Sequence, residues 1–574
     1  MIRALSNRPV NGRWLLTGVA GRGASSVVYR AFDLVAEQVV ALKAMGHGTT
    51  GGADAPGSRP CRTARREFLD LARLRHPNLV ETYELARVES GPLPRGSSFF
   101  TMELLDVATD EPGSPAPPRL ARLALDVLSG LDCVHAHGLV HGDVKPSNVL
   151  VDVRWGRPLT FKLSDLGLAG PPSHLRTSLR GTLQYAAPET LTGGPVDQRA
   201  DLYSLGVLLF EAATRALPFD STDPTAVLEW HLRGGASAMD AGGSKLPPTL
   251  ARAVGRLLAR SPAERPARAR EVWEMIADAL PEDAARPAES AGGGDGPLVG
   301  REAERRKLAR WLVSAARTGG RLEIVGPPGA GLSRLAREAA LLGRAEGWSV
   351  HAWACEEGGP PFAPFLRPLR EILLGGRSCS VEPRPSRRGR AAAEGLQSLL
   401  GVCGAGGHPA ESPYSEPIVS AVADLLIDAS RRRPMLLVID DYDRADSTVF
   451  RTLDEAAKQT VVRSSRLLIV TSSHGKVPCG TDRSQETGQR SRGGTVLPTE
   501  PWRPYVLGLG PLSGAACRRL IASLPGICPL GRGETDAVIR ASAGLPGRLV
   551  RLTRVVADRQ RPLFPPLYEP AARA

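Results

Sequence analysis

A run without apolar periodicity, Pro281-Glu-Asp-Ala-Ala-Arg-Pro-Ala-Glu-Ser-Ala-Gly-Gly-Gly-Asp-Gly296, interrupts the chain near its middle. Its Pro, Gly and Ala residues build no buried face, so it reads as a flexible linker between two folding blocks. Those blocks, residues 1–280 and 297–557, are each long enough for a core of their own, and residues 558–574 are left as a tail. With 42% apolar and 23% charged residues, the 574-residue chain is neither disordered nor fibrous. Its longest apolar stretches, 203–210 and 434–439, fall far short of the roughly 18 residues that a membrane span needs. Arg3, Arg8 and Arg13 precede no continuous apolar core, so no secretory signal is visible. The 8 cysteines are scattered and never form a Cys-x-x-Cys pair, which favours reduced thiols over zinc or disulfide frameworks. These features predict a cytoplasmic protein with no membrane partner.

The net charge of +13 is uneven: residues 1–280 hold 32 Lys+Arg against 29 Asp+Glu, and residues 281–574 hold 41 against 31. The excess sits partly in loop-like arginine runs at 384–390 and 431–433, with no aromatic platform or recognition-helix pattern beside them. Specific nucleic-acid binding is therefore not expected.

In the first block, Gly21-Arg-Gly23-Ala-Ser-Ser26-Val-Val28 lies between the apolar runs Trp14-Leu-Leu and Val27-Val-Tyr, consistent with a hairpin and a Gly-rich turn. Two glycines let the backbone approach phosphates and offer N–H donors. Val40-Ala-Leu-Lys43 then ends an apolar strand in a lysine, which is costly to bury unless it meets anions.

From here the motifs follow an order that resembles the protein-kinase family, in particular the eukaryotic-like Ser/Thr kinases of bacteria, over about residues 13–277. A helix ends in Arg66-Glu67-Phe-Leu-Asp-Leu-Ala-Arg-Leu-Arg-His76, and Met102-Glu103-Leu104 looks like a hinge. The catalytic loop reads His141-Gly142-Asp143-Val-Lys145-Pro-Ser-Asn148, and Asp165-Leu166-Gly167 is the magnesium motif. Ala187-Pro188-Glu189 closes the activation segment, with Asp201 and Arg265 at supporting positions.

The resemblance implies a two-lobed α+β kinase fold that uses ATP and Mg²⁺ to phosphorylate Ser/Thr hydroxyls of protein substrates. Its ATP site would comprise Gly21, Gly23, Val28, Ala41, Lys43, Glu67, Glu103, Leu104, Asn148 and Asp165. Lys43 would hold the α- and β-phosphates, oriented by Glu67, while Asn148 and Asp165 would carry Mg²⁺ through hard oxygen ligands. Asp143 would accept the substrate proton, and Lys145 would meet the γ-phosphate, as in the Ser/Thr branch. Glu189 and Arg265 would pair beneath the substrate platform. Three positions depart from the family pattern: Ser26 for the third loop glycine, Leu166 for phenylalanine, and Gly142 for the arginine that reads a phosphorylated activation loop. The last predicts catalysis independent of phosphorylation at Ser173, Thr177 or Ser178.

The second block opens with Leu298-Val-Gly300-Arg301-Glu302, then a helix, the apolar strand Arg321-Leu-Glu-Ile-Val325 and the loop Gly326-Pro-Pro-Gly329-Ala-Gly331-Leu332-Ser333. A strand, a Gly-rich loop and a helix is the layout that aims N–H groups at phosphates. The strand at 434–439 ends in Asp440 and Asp441, and a further strand at 466–470 ends at Thr471. Ser513 reads as a helix N-cap, and Ala543-Gly544-Leu545-Pro546 precedes a last helix through Val556.

This series resembles the ATPase domain of STAND-type, AAA-like signalling proteins. It implies an α/β P-loop NTPase-like three-layer domain with a helical lid and a second nucleotide site at Gly326, Gly329, Gly331, Ser333, Asp440 and Asp441. The loop pattern asks for lysine where Leu332 stands, and Arg334 replaces it only if the helix start distorts. The block therefore reads as a degenerate nucleotide fold kept to regulate the kinase or bind a protein partner. The alternative is a signalling scaffold or nucleotide-sensing switch with little kinase activity.

Overall fold

The computed structural model describes residues 8–23, 26–45, 59–107, 117–153, 159–166, 169–170, 183–219, 221, 223–233, 248–277, 297–358, 362–375, 416–463, 465–475, 504–524 and 530–560. The linker 281–296, Gly167, Ser173, Thr177, Ser178, the 384–390 arginines and residues 561–574 lie outside the described residues.

Alternating burial pairs β1 (Trp14–Arg22) with β2 (Ser26–Asp33) as an antiparallel hairpin, and β3 (Gln38–Met45) lies beside β2. The Gly-rich turn closes where the Gly23 N–H donates to the Ser26 carbonyl at 2.8 Å, so Ser26 is the first residue of a strand. Helix α1 (Arg59–Arg73) follows, then β4 (Thr82–Arg87) and β5 (Ser98–Glu103), giving the sheet order β1-β2-β3-β5-β4. α1 lies on this sheet because Ala64, Phe68 and Leu71 bury against Leu85, Phe100 and Met102.

The second lobe contains β6 (Asp106–Val107), α2 (Pro117–Ala136), β7 (Val149–Asp152) and β8 (Thr160–Leu163), the three strands forming one small sheet. Helices α3 (Pro188–Leu191), α4 (Arg199–Thr214), α5 (Pro224–Arg233), α6 (Pro248–Leu257) and α7 (Ala269–Ala277) complete it. The apolar stretch 203–210 is the middle of α4. It is hydrophobic all round because α2 and α6 enclose it.

After the linker, the described elements are α8 (Glu302–Ala315), β9 (Gly320–Gly326), α9 (Leu332–Ala345), β10 (Ser349–Ala354), α10 (Ala363–Gly375) and α11 (Glu416–Arg432). Then come β11 (Met435–Asp440), α12 (Ser447–Arg463), β12 (Leu467–His474) and β13 (Tyr505–Gly508). All five strands are parallel, in the order β10-β11-β12-β9-β13. Leu322, Ile324, Val438 and Val470 bury against α8 and α9, whereas Leu437, Ile439 and Ile469 bury against α10, α11 and α12. Both faces being covered, β11 is apolar without alternation. Helices α13 (Gly514–Ala522), α14 (Arg532–Ser542) and α15 (Pro546–Gln560) form a smaller core around Cys517, Leu520, Val538 and Leu549. Ser513 caps α13 by accepting from the Ala516 N–H, and α15 runs on to Gln560. Among the described residues no helix is long and apolar enough to cross a membrane.

Candidate active site

β3, α1 and the loop after β8 deliver three charges to one cleft. Lys43 Nζ lies 2.7 Å from Glu67 Oε1 and 3.0 Å from Asp165 Oδ1. Lys43 and Glu67 are 6% and 3% exposed, so each charge depends on the other for compensation. Burial alone would lower the Lys43 pKa, but the Glu67 and Asp165 carboxylates raise it above the ordinary lysine value. Burial outweighs Lys43 at Glu67, whose pKa rises. Asp165 has a left-handed φ of 63° and a side chain 41% exposed, which turns its carboxylate towards the open cleft. Leu166 is buried in the same apolar core as Phe68 and Leu71, so the leucine keeps an apolar side chain where the family has phenylalanine. Arg66 reaches past Leu166 to donate to the Ala169 carbonyl at 3.2 Å.

The second cluster belongs to the segment between α2 and β7. Lys145 Nζ donates to Asp143 Oδ2 at 2.6 Å, and Asn148 Nδ2 donates to the Asp143 carbonyl at 2.8 Å and to its Oδ2 at 3.1 Å. The Ser164 N–H donates to the Asn148 carbonyl at 2.9 Å, which joins this cluster to the Asp165 loop. Asp201 secures the segment from below. It accepts the backbone N–H groups of His141 and Gly142 and the His135 ring, each at 2.8 Å. Burial opposes its ionisation, but His135, His141 and the Gly142 N–H together hold its pKa below the usual carboxylate range. Gly142 has a φ of 78°, a conformation in which glycine is unstrained and arginine is not.

Ala41 and Met102 are buried in the apolar core against which Val28 and Leu104 also pack. Gly21 is paired with Val28 across the hairpin. Glu103 lies at the hinge, but its carboxylate binds Lys162 at 2.7 and 2.9 Å and accepts the Glu81 N–H at 2.8 Å. Its side chain therefore pins the two lobes together, leaving only backbone for a ligand. Arg265 grips Glu189 with two bonds, 2.7 and 2.9 Å, and packs over the Tyr203 ring at 4.8 Å. Sequence reasoning gave no role to Arg66, His135 or Lys162. Their partners lie far away along the chain, and no local spacing signals such contacts.

In the second domain, Gly326 ends β9, and Gly329 and Gly331 take left-handed φ values of 83° and 93° in the loop before α9. Leu332, 4% exposed, faces the apolar core beside Ile324 and Leu335. Ser333 and Arg334 follow it, half-buried, on α9. The start of α15 covers the loop: the Gly547 N–H donates to the Gly329 carbonyl at 2.9 Å, a backbone approach that a Cβ on Gly547 would crowd. Asp440 ends β11 and pairs with Ser472, while Asp441 has a left-handed φ of 49° and lies 3.3 Å from His474 Nε2. Thr471 is buried with its hydroxyl unpartnered, so Ser472 and His474, not Thr471, are the β12 residues that meet the paired acids.

These two clefts match two families in sequence. Residues 16–276 match the model described as protein kinase domain, and residues 297–470 match AAA ATPase domain. The chain thus joins a kinase domain of the bacterial Hanks type to an AAA-type ATPase domain. Serine/threonine-protein kinase PksC of Streptomyces coelicolor is 32% identical over 265 residues, which is 44% of this chain and 46% of that protein. The DNA damage-responsive serine/threonine-protein kinase RqkA of Deinococcus radiodurans is 36% identical over 263 residues, 44% of this chain and 38% of that protein. Serine/threonine-protein kinase PknB of Mycobacterium tuberculosis is 31% identical over 321 residues, 54% of this chain and 47% of that protein. The chain spans less than half the length of each of these relatives.

Proposed function

We propose that this chain is an ATP-dependent Ser/Thr protein kinase regulated by its second domain. The observation that carries the reading is the union of the Lys43–Glu67–Asp165 triad with the Asp143–Lys145–Asn148 cluster in one cleft. Lys43, held by Glu67, neutralises the α- and β-phosphates. Asp143 orients a substrate Ser or Thr hydroxyl and takes its proton as the oxygen bonds to the γ-phosphorus. The bond from that phosphorus to the bridging oxygen breaks, and ADP leaves. Lys145 places positive charge beside the transferring group. Asn148 has committed its amide nitrogen to Asp143, so its side-chain oxygen is the atom that would serve as a ligand, together with the Asp165 carboxylate. Two hard oxygen donors suit a divalent cation, and these residues would hold Mg²⁺, which neutralises phosphate charge when bound.

In the second domain an apolar Leu332 stands where a phosphate-binding cation is needed, which supports a regulatory or partner-binding role over ATP hydrolysis. The buried, reduced thiols of Cys133, Cys355 and Cys517 support action in the reducing cytoplasm. The test is Mg²⁺-dependent ATP consumption by the full chain with a Ser/Thr-rich protein. Asp165→Asn is expected to lower it at least about 100-fold, with phosphoserine or phosphothreonine as the wild-type product. Undiminished consumption in the variant would overturn the assignment.

A further inference from the structure

Helix α9 starts at the glycine loop of the second domain, and α1 carries the glutamate that pairs with Lys43. These two helices lie against each other, and α9 also touches β4. Arg73 donates to Glu338 Oε1 at 3.0 Å, and Arg65 pairs with Glu346 just beyond α9. The spacing from Arg65 to Arg73 on α1 equals that from Glu338 on α9 to Glu346 at its C-cap, and the order is reversed. Two antiparallel helices thus meet in register at points roughly 12 Å apart. The pairing is complementary: Arg73 and Arg65 of α1 meet Glu338 of α9 and Glu346 just beyond its end.

The two contacts differ in weight. Arg65 and Glu346 have side chains 44% and 38% exposed, so water competes and their pair contributes register more than affinity. The Glu338 side chain is 7% exposed and meets Arg73 at 3.0 Å and Arg305 of α8 at 3.6 Å. A carboxylate that deeply buried needs its cations, and moving α1 away would take Arg73 from it and leave Arg305 alone. On the kinase side of the same helix, Glu67 holds Lys43 and Arg66 holds the Ala169 carbonyl.

We propose that the Arg65–Arg73 face of α1 is a docking surface for α9 of the same chain, and that the docked domain holds α1 where Glu67 meets Lys43. The proposal deepens the kinase reading and, for its effect on turnover, rests on it. In this proposal α9 biases α1 towards the position seen here, in which Glu67 completes the ATP site. Arg73 and Glu338 are positioning residues that act through Glu67.

The experiment uses the full chain with Glu338→Gln, Arg73→Gln and Arg73→Lys, each checked by thermal melting. Two quantities are read: amide hydrogen exchange of α1, and transfer to a Ser/Thr-rich peptide at varied ATP. Glu338→Gln and Arg73→Gln are each expected to speed α1 exchange about tenfold and to lower kcat/KM for ATP by a similar factor. Arg73→Lys, which keeps the charge, is expected to recover most of both. Because Glu338 also meets Arg305, Arg73→Gln reads the docking with the second domain's own pair intact. Unchanged α1 exchange in both variants overturns the proposal, and so does faster transfer by either. If the wild type transfers no phosphate, the kinase reading fails, and α1 exchange still decides the docking.

Discussion

Gly142 is expected to remove a phosphorylation switch without disturbing the site around it. At a φ of 78° it lets its own N–H and that of His141 bind Asp201, which aims Asp143, yet it offers no guanidinium to a phosphorylated loop. Replacing Ser173, Thr177 and Ser178 together by alanine is therefore expected to leave transfer to an added substrate within about tenfold of wild type. A larger loss in a labelled-phosphate assay would mean that another group reads a phosphate there. His76 gives a test by pH. Burial, with nearby Lys162, lowers its pKa from 6.5 to about 4. The folded state keeps the ring neutral while the unfolded chain takes up a proton below about 6.5, so its contribution is complete above that pH. It is lost as the pH falls from about 6.5 to about 4, up to about 3 kcal/mol. Melting curves across that window are expected to be flatter for His76→Gln than for wild type, and equal slopes would contradict this.

At the scale of elements, what the sequence made legible were pieces whose chemistry is local. The Gly-rich hairpin, the lysine on β3, the catalytic loop and the acid-ended β11 each carry their residues within one short segment. Ser513 was readable as a cap for the same reason. What could not be read depends on residues distant along the chain. β10 has exposed Ala352, Trp353 and Ala354, so its apolar signal is weak, and only its pairing with β11 defines it. Glu103 was readable as a hinge residue, but Lys162, which takes its carboxylate, belongs to β8. The Arg265–Glu189 pair was readable from the family pattern, and the structure adds how deeply it is buried, with the arginine side chain 0% exposed. Arg265→Met is expected to destabilise the kinase domain by about 3–5 kcal/mol, because it strands a buried carboxylate. Chemical denaturation monitored by circular dichroism checks this, and a shift below about 1 kcal/mol would show that Glu189 finds another partner.

Across the whole molecule, two ATP-type folds lie in one chain, and among the described residues a lysine paired with acids stands in the first. The kinase cleft brings Lys43, Lys145, Asp143 and Asp165 together, while the second domain keeps Asp440 and Ser472 beside a loop whose lysine position is the apolar Leu332. Asp440→Asn is accordingly expected to leave Mg²⁺-dependent ATP consumption by the full chain within about twofold of wild type, and a loss as large as that of Asp165→Asn would place hydrolysis in the second domain. The ion pairs from α1 to Glu338 and Glu346 are the contacts through which the second domain is proposed to hold α1. The most direct test of the account is transfer of labelled γ-phosphate from ATP and Mg²⁺ to a Ser/Thr-rich protein, comparing the full chain with Asp143→Asn. The account expects transfer by the wild type and a loss of at least about 100-fold in the variant. No transfer by the wild type, or equal transfer by both, would contradict it.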